Sequence, residues 1–205
     1  SKEVTNPRGD TTTYEYDAVG RLIRVIMPDT DGITLTTDYT YDYLGHLLTV
    51  RQASSGDVDV QTRWFRYNTL GQRISEYHPE TGYTAYIYES TGARRLTGIR
   101  HGDGSIETFA YDGFGRLVQH EYIETSGVAK QKVMIYDDDP VTIGGYTVPE
   151  PPAEAIHEGL LKAQISSIDE GSGPVFESAI IYPGYTILGR PYSKILLVGT
   201  GGSVT

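Results

Sequence analysis

The strongest constraint on this chain is a short motif that recurs five times along it. In the first copy, residues 14–22 read aromatic, any residue, Tyr, Asp, two variable residues, Gly, Arg and Leu. The second aromatic residue of each copy stands at positions 16, 41, 67, 88 and 111, so the steps are 25, 26, 21 and 23 residues. A motif that returns at such a period indicates an array of similar supersecondary units, each packed mainly on its neighbours.

Each copy predicts one β-hairpin, and no helix is predicted within the repeats. Tyr and Thr before the Asp favour a strand. Asp and Gly at the first and last places of a four-residue segment favour a type I turn, with the Gly left-handed and making a bulge. Apolar residues after the Gly begin the return strand. The residues that we expect to form this structural signature are Tyr14, Tyr16, Asp17, Gly20, Arg21, Tyr39, Tyr41, Asp42, Gly45, Tyr67, Asn68, Gly71, Tyr86, Tyr88, Gly92, Tyr111, Asp112, Gly115, Arg116, Tyr136, Asp137, Tyr185, Gly189 and Arg190.

The charged residues at the turns are interpreted as structural. Asp17 and Arg21 flank one turn and are expected to pair across it, as are the equivalent residues of the fifth copy, but exposed ion pairs contribute little to stability. Asn68 is expected to replace Asp, because an Asn side chain also accepts hydrogen bonds within a turn. Glu89 is one methylene too long to close a turn of this kind well, and an extra residue follows Gly92. The fourth hairpin is therefore predicted to be the least regular.

The chain after the fifth copy departs from the pattern and then returns to it. We divide it into a hairpin array over residues 1–136, an inserted Pro/Gly-rich loop over 137–158, and a continuation with degenerate repeats over 159–205. Four of the ten prolines lie between positions 140 and 152. The delayed second strand of the sixth hairpin is predicted over 161–168. A short helix over 152–160 is the less favoured alternative for the end of the loop.

Composition excludes several classes of function. The formal net charge is −10 and the basic residues form no run, which argues against nucleic acid or an anionic membrane as the partner. The chain has no Cys, and no apolar run approaches the roughly 18 residues of a membrane span. The five His residues lack metal-ligand spacing. The acidic runs 137–139 and 29–31 offer clustered carboxylates, which suit Ca²⁺, but they lack the spaced ligands and downstream Glu of a loop site and are interpreted as solvated turns. We predict no catalytic residues, no metal, no cofactor and no enzymatic activity.

The motif, and above all residues 9–22, resembles the RHS (YD) repeat family, and the resemblance covers most of the chain outside about residues 138–158. It implies a segment of a spiralling β-sheet that walls a hollow shell or barrel. In bacterial RHS polymorphic toxins and in the B and C subunits of ABC-type toxin complexes, such a shell encloses a toxic C-terminal domain. In the related teneurins, a similar shell serves in cell-surface adhesion. Residues 139–142 depart at their last position from the Asp-Pro-x-Gly signature of the self-cleaving core.

From this resemblance we expect an all-β structural segment of a longer, secreted or cell-surface protein. Its expected partners are the remainder of the RHS shell and an enclosed C-terminal toxin domain. The alternative is an adhesion or carbohydrate-binding module in which exposed Tyr rings hold glycans or a receptor. The regular placement of Tyr in the hairpins favours strand packing as their main role.

Overall fold

The computed structural model describes residues 1–28, 32–56, 58–136, 142–143, 146–147, 160–171, 175–182, 191, 194–200 and 203–204. Its regular elements are antiparallel β-strands that form two compact units. The first unit comprises Ser1–Tyr86 with His101–Asp103, and the second comprises Ile87–Arg100 with Gly104–Thr205. Among the described residues, no helix is long and apolar enough to cross a membrane.

Strands of the first unit follow one another in chain order, each pairing with the next. They are β1 (Lys2–Thr5), β2 (Thr11–Tyr16), β3 (Leu22–Pro28), β4 (Thr34–Tyr41), β5 (Leu47–Ser54), β6 (Val58–Tyr67), β7 (Arg73–His78) and β8 (Gly82–Tyr88), whose last two residues belong to the second unit. Every pairing from β1 to β8 is antiparallel. The second aromatic residue of each of the first three motifs ends β2, β4 and β6.

The second unit has the same organisation, with one insertion. Its strands are β9 (Leu96–Arg100), β10 (Ile106–Tyr111), β11 (Leu117–Ile123), β12 (Ala129–Tyr136), β13 (Thr142–Ile143), β14 (Tyr146–Thr147), β15 (Leu161–Asp169), β16 (Val175–Ile181), β17 (Ile195–Thr200) and β18 (Ser203–Val204). The order of pairing is β9, β10, β11, β12, β15, β16, β17 and β18. Strands β13 and β14 pair only with each other in the described part.

The sixth hairpin keeps its register although its tight turn is replaced. Tyr136 of β12 lies opposite Leu161 of β15, with a bulge after Ile135. In the fifth copy Tyr111 lies opposite Leu117 in the same way. Residues 137–160 therefore stand where the regular copies have a tight turn, and the predicted delayed return strand is confirmed. The all-β fold of tandem hairpins is confirmed as well.

Few side chains are fully buried in the part of the chain that the structure describes. In the second unit, Ala163, Ala179 and Ile181 form a small core. In the first unit, buried positions include Val25 and Thr37. Most strand residues are half-buried, so the hydrogen-bonded ladders and the cross-strand side-chain pairs must supply much of the stability.

Candidate functional site: the contacts between repeats

The first motif forms a turn with a left-handed glycine. The Asp17 amide donates to the Arg21 carbonyl oxygen at 2.9 Å, and the Gly20 amide donates to the Asp17 carbonyl oxygen at 3.1 Å. Gly20 has a φ of 89°, a conformation that costs a residue with a Cβ roughly 1–2 kcal/mol. The register shifts between Glu15 and Tyr16, which marks the bulge that accompanies this type of turn.

The Asp17 carboxylate fastens this turn through both of its oxygens. Oδ1 accepts hydrogen bonds from the amides of Val19 at 3.0 Å and Arg21 at 2.9 Å. Oδ2 accepts from Arg21 Nε at 2.7 Å. The hydrogen bond from the Arg21 side chain, followed by that from its amide, holds the pKa of Asp17 below its usual value. The predicted pair across the turn is therefore present.

The second and third copies build the same turn from different side chains. Asp42 Oδ1 accepts from the His46 amide at 2.9 Å, and Oδ2 lies 2.8 Å from His46 Nδ1. Asn68 Oδ1 accepts from the Gln72 amide at 3.0 Å, while Asn68 Nδ2 donates to Gln72 Oε1 at 2.8 Å. The substitution of Asn for Asp is thus accommodated as expected from its side-chain amide.

The fifth copy returns to the arrangement of the first. Asp112 Oδ1 accepts from the amides of Phe114 and Arg116, each at 2.9 Å, and Oδ2 accepts from Arg116 Nε at 2.6 Å. Burial opposes ionisation here, but the hydrogen bonds from Arg116 outweigh it and hold the pKa of Asp112 below its usual value. The glycines of the second, third and fifth copies are also left-handed; they are Gly45, Gly71 and Gly115.

The fourth turn is longer, and its Glu fits that length. The Glu89 amide donates to the Arg95 carbonyl oxygen at 2.9 Å, so the turn spans six positions where the others span four. Glu89 Oε2 accepts from the Arg95 amide at 3.1 Å, and Oε1 accepts from its guanidinium at 2.7 Å. Gly92 and Arg94 both have positive φ, at 71° and 53°. The expectation that Glu89 would close its turn poorly is wrong, since its extra methylene reaches across the wider loop.

Side chains of the first repeat also contact the second repeat. The Arg21 guanidinium lies over the ring of Tyr41, 5.0 Å from its centroid, and donates to the Asp42 carbonyl oxygen at 3.0 Å. The Tyr41 hydroxyl donates to the Leu22 carbonyl oxygen at 2.8 Å. The motif Arg of one repeat therefore binds the second motif aromatic of the next, by cation–π attraction and by hydrogen bonds.

The second unit repeats this contact twice. Arg95 lies over the Tyr111 ring at 4.7 Å, and the Tyr111 hydroxyl donates to the Leu96 carbonyl oxygen at 2.9 Å. Arg116 lies over the Tyr136 ring at 4.4 Å. The Tyr136 hydroxyl donates to the Leu117 carbonyl oxygen at 3.0 Å.

In the first unit, His46 takes the place of Arg and stacks on Tyr67, with ring centroids 4.7 Å apart and planes 20° apart. We call this set of contacts the Arg/His–Tyr contacts. Sequence reasoning did not find them. A signal was present, because a His or Arg follows the turn of one copy and a Tyr stands at the same motif place in the next.

The remaining signature residues that the structure describes lie in β-strands. Tyr39 lies in β4, where burial raises the pKa of its hydroxyl. Tyr14 of β2 lies opposite Val25 of β3, and the Tyr86 hydroxyl donates to Glu76 Oε1 at 2.6 Å. Tyr88 ends β8. Asp137, Tyr185, Gly189 and Arg190 lie outside the described residues, as do the acidic runs 137–139 and 29–31. All but the last residue of the alternative helix over 152–160 lies outside them as well.

No group of three or more His, Asp or Glu residues in the described ranges could hold a metal ion. Residues 2–31, which contain the first hairpin, match the family model described as RHS Repeat. The first hairpin therefore matches an RHS repeat. The second, third and fifth copies share the turn hydrogen bonds of the first. Arg/His–Tyr contacts join the first copy to the second, the second to the third, the fourth to the fifth and the fifth to the sixth.

Comparison with solved structures gives long but distant matches. A complex of TcdB2, TccC3 and Cdc42 is 18% identical with a TM-score of 0.45, and the match covers 91% of this chain and 10% of that chain. The Photorhabdus luminescens Tc holotoxin pore, with a mutated TccC3, is 13% identical with a TM-score of 0.44, covering 97% and 13%. A porin-like protein from Bacteroides uniformis is 16% identical with a TM-score of 0.38, covering 100% and 91%.

The chain thus spans about a tenth of the length of the toxin-complex chains that it matches. No curated protein matches the chain.

Proposed function

We propose that this chain is a structural wall segment of an RHS-type β-shell, and that the shell encloses a C-terminal polypeptide such as a toxin domain. The observation that carries the proposal is the set of Arg/His–Tyr contacts. They join consecutive hairpins through side chains in addition to the backbone ladder. A wall requires such joints at each step, because every unit contacts only its neighbours along the array.

The use of the motif side chains supports a structural role over a catalytic one. The carboxylates of Asp17 and Asp112 accept bonds from their own turns, and the guanidinium groups that pair with them also lie over Tyr rings. These polar groups form the hydrogen bonds and ring contacts that hold the turns and join adjacent repeats. The same contact recurs between different pairs of repeats, which is typical of a structural role.

The proposal extends to partners and location. We place the chain within a longer, secreted or cell-surface protein, where its neighbours would be further RHS repeats and the enclosed polypeptide. A sheet edge within an array is covered by the next hairpin, which protects it from association with other chains. We therefore expect further hairpins to pair with both edge strands of this segment in the longer protein.

Protease protection tests the enclosure directly. The longer protein would be treated with proteinase K, and intact-mass spectrometry would follow the polypeptide downstream of the RHS repeats. We expect its half-life to exceed by at least tenfold that of the same polypeptide expressed alone. Equal rates of digestion would contradict enclosure. Tyr111→Phe with Tyr136→Phe should shorten the protected half-life, whereas Tyr43→Phe, at an exposed turn, provides the matched control.

A second candidate function, carbohydrate binding, rests on one aromatic cluster. Trp64 stacks on Tyr77 with centroids 5.8 Å apart, and Tyr83 lies at the same distance from Trp64 and is 48% exposed. Exposed aromatic rings on a sheet can stack against sugar rings. Glycan-array binding that is lost in Tyr83→Ala and retained in Tyr43→Ala would favour this role; binding that survives Tyr83→Ala would exclude this cluster.

A further inference from the structure

The turn between β1 and β2 carries the tripeptide Arg8-Gly9-Asp10. All three residues are exposed, as are the residues of β1 that precede them. Nothing lies within 4 Å of the position that a Cβ on Gly9 would take, so the backbone is open on that side as well. A guanidinium and a carboxylate therefore stand one residue apart on an accessible turn.

Hydrogen bonds hold this turn in one backbone conformation. The Asn6 amide donates to the Asp10 carbonyl oxygen at 2.9 Å, and the Gly9 amide donates to the Asn6 carbonyl oxygen at 3.0 Å. Asn6 Oδ1 accepts from the amides of Arg8 at 2.8 Å and Asp10 at 3.0 Å. Pro7 restricts its own φ, and Gly9 has a φ of 93°. A turn fixed in this way loses little conformational freedom when it binds a partner.

The two charged side chains of this turn do not pair with each other. Asp10 Oδ2 accepts a hydrogen bond at 2.9 Å from Asn6 Nδ2, which belongs to a neutral amide. Arg8 contributes its backbone amide to the turn, and among the described residues its guanidinium forms no ion pair. Both charges are therefore available to a partner, and the carboxylate is held in place without being neutralised.

A turn of the second unit has the same backbone bonds without either charge. Between β11 and β12 the Glu124 amide donates to the Val128 carbonyl oxygen at 2.8 Å, and the Gly127 amide donates to the Glu124 carbonyl oxygen at 2.9 Å. Gly127 has a φ of 90°. Ser126 and Val128 stand at the places that Arg and Asp occupy in the first turn. The turn therefore requires its Gly, but it does not require a charged residue on either side of it.

We propose that Arg8-Gly9-Asp10 is a docking site for a cell-surface receptor that binds this tripeptide through an acidic pocket and a bound divalent cation (the integrin class). The planar guanidinium of Arg8 pairs with a carboxylate of the receptor through two parallel hydrogen bonds. The Asp10 carboxylate supplies an oxygen ligand to the cation, since Mg²⁺ and Ca²⁺ prefer oxygen. Gly9 has no side chain, so the receptor approaches the backbone closely. This role is independent of an enclosed polypeptide.

Surface plasmon resonance tests this site, with the soluble ectodomain of an Arg-Gly-Asp-binding integrin immobilised and the 205-residue chain in solution with Mg²⁺. We expect Asp10→Glu to weaken binding by at least about tenfold, because the longer side chain moves the carboxylate away from the cation. Arg8→Ser, which copies the turn of the second unit, should weaken it to a similar extent. Chelation of Mg²⁺ by EDTA and competition by a cyclic Arg-Gly-Asp peptide should each abolish binding. Lys2→Ser, at an exposed position of β1, is the matched control and should keep full affinity.

Three outcomes would overturn the proposal. The first is that the unchanged chain does not bind the ectodomain. The second is equal affinity of Asp10→Glu and the unchanged chain, or binding that persists in EDTA, because the cation would then not be used. The third is an equal loss in Lys2→Ser, which would show attraction by charge alone. Circular dichroism of each variant establishes that the β-structure is retained. Protease protection of an enclosed polypeptide is a separate measurement, so either proposal can fail while the other stands.

Discussion

The third and fifth hairpins build the same turn with different charges. In the third, Asn68 accepts from the amide of neutral Gln72 at 3.0 Å; in the fifth, Asp112 accepts from the amide of Arg116 at 2.9 Å. The side chains then pair across the turn as two amides at 2.8 Å, or as an ion pair at 2.6 Å. The comparison shows that this turn needs a side-chain oxygen at its first position, and that a charge there is dispensable.

The charge matters for the contact with the next repeat. Arg116 lies over the second motif aromatic of the following copy, Tyr136, at 4.4 Å. In the third copy the cation is one residue later, at Arg73, and it lies 5.7 Å from the ring of Tyr86, the first motif aromatic of the following copy. An Arg side chain therefore contacts a Tyr ring of the following repeat in both copies, but the ring belongs to a different motif position.

The largest effect that separates the copies is expected at their glycines. Gly71→Ala should destabilise the chain by about 1–2 kcal/mol for the positive φ of 76°, and further because the new Cβ would lie 2.9 Å from His46 Nε2. Gly20→Ala should cost only the backbone strain, since nothing lies within 4 Å of its Cβ position. Urea denaturation measures both. In a His46→Ala background the excess cost at Gly71 should disappear; an undiminished excess would contradict the proposed clash.

Replacing the turn acceptor tests the role of charge. Asn68→Ala removes the hydrogen bonds to the amides of Leu70 and Gln72 and should cost roughly 1–2 kcal/mol, at about 1 kcal/mol for each bond. Asp112→Asn should cost less than Asp112→Ala, because the amide oxygen keeps the same backbone bonds. Thermal and urea unfolding would rank the variants. Equal losses for the two Asp112 variants would show that the ion pair, and not the oxygen acceptor, holds the turn.

The local structure of each hairpin could be predicted from sequence, because it depends on residues four apart. Tyr and Thr predicted the strands, and the left-handed glycine with its bulge was predicted from the places of Asp and Gly. The return of the sixth hairpin at Leu161 was also predicted. The irregularity of the fourth turn was predicted from its extra residue, but the fit of Glu89 was not, because it depends on the six positions between Glu89 and Arg95.

The Arg/His–Tyr contacts could not be predicted from a single motif. Arg21 and Tyr41 are separated by 20 positions, and they meet only because β3 pairs with β4 in one particular register. The register of the next pair, β4 with β5, also shifts directly before Tyr41. Such information resides in the pairing of strands, which one copy of the motif does not encode.

The hydroxyl of the second motif aromatic should contribute a smaller amount to each joint. Tyr111→Phe removes the bond to the Leu96 carbonyl oxygen and should cost about 0.5–1.5 kcal/mol, while the ring remains under Arg95. Tyr41→Phe should behave alike through the loss of the bond to Leu22. Urea denaturation is the measurement. The exposed Tyr43→Phe is the control and should be neutral, and a cost equal to that of Tyr111→Phe would contradict the assigned hydrogen bond.

The smallest expected effect is a pH dependence that the charged copies have and the third copy lacks. The pKa values of Asp17, Asp42 and Asp112 are held below their usual range in the folded chain. A carboxyl whose pKa is lowered by folding stabilises the fold fully above its unfolded pKa, and this contribution is lost as the pH falls through the folded value. Stability should therefore decline below about pH 4, where these carboxylates take up protons.

Asp112→Asn should make the decline shallower by converting the fifth copy to the neutral chemistry of the third, whereas Asn68→Asp should make it steeper. Urea midpoints measured between pH 2 and 7 would test both slopes, and unchanged slopes in both variants would show that the turn carboxylates do not control the acid response.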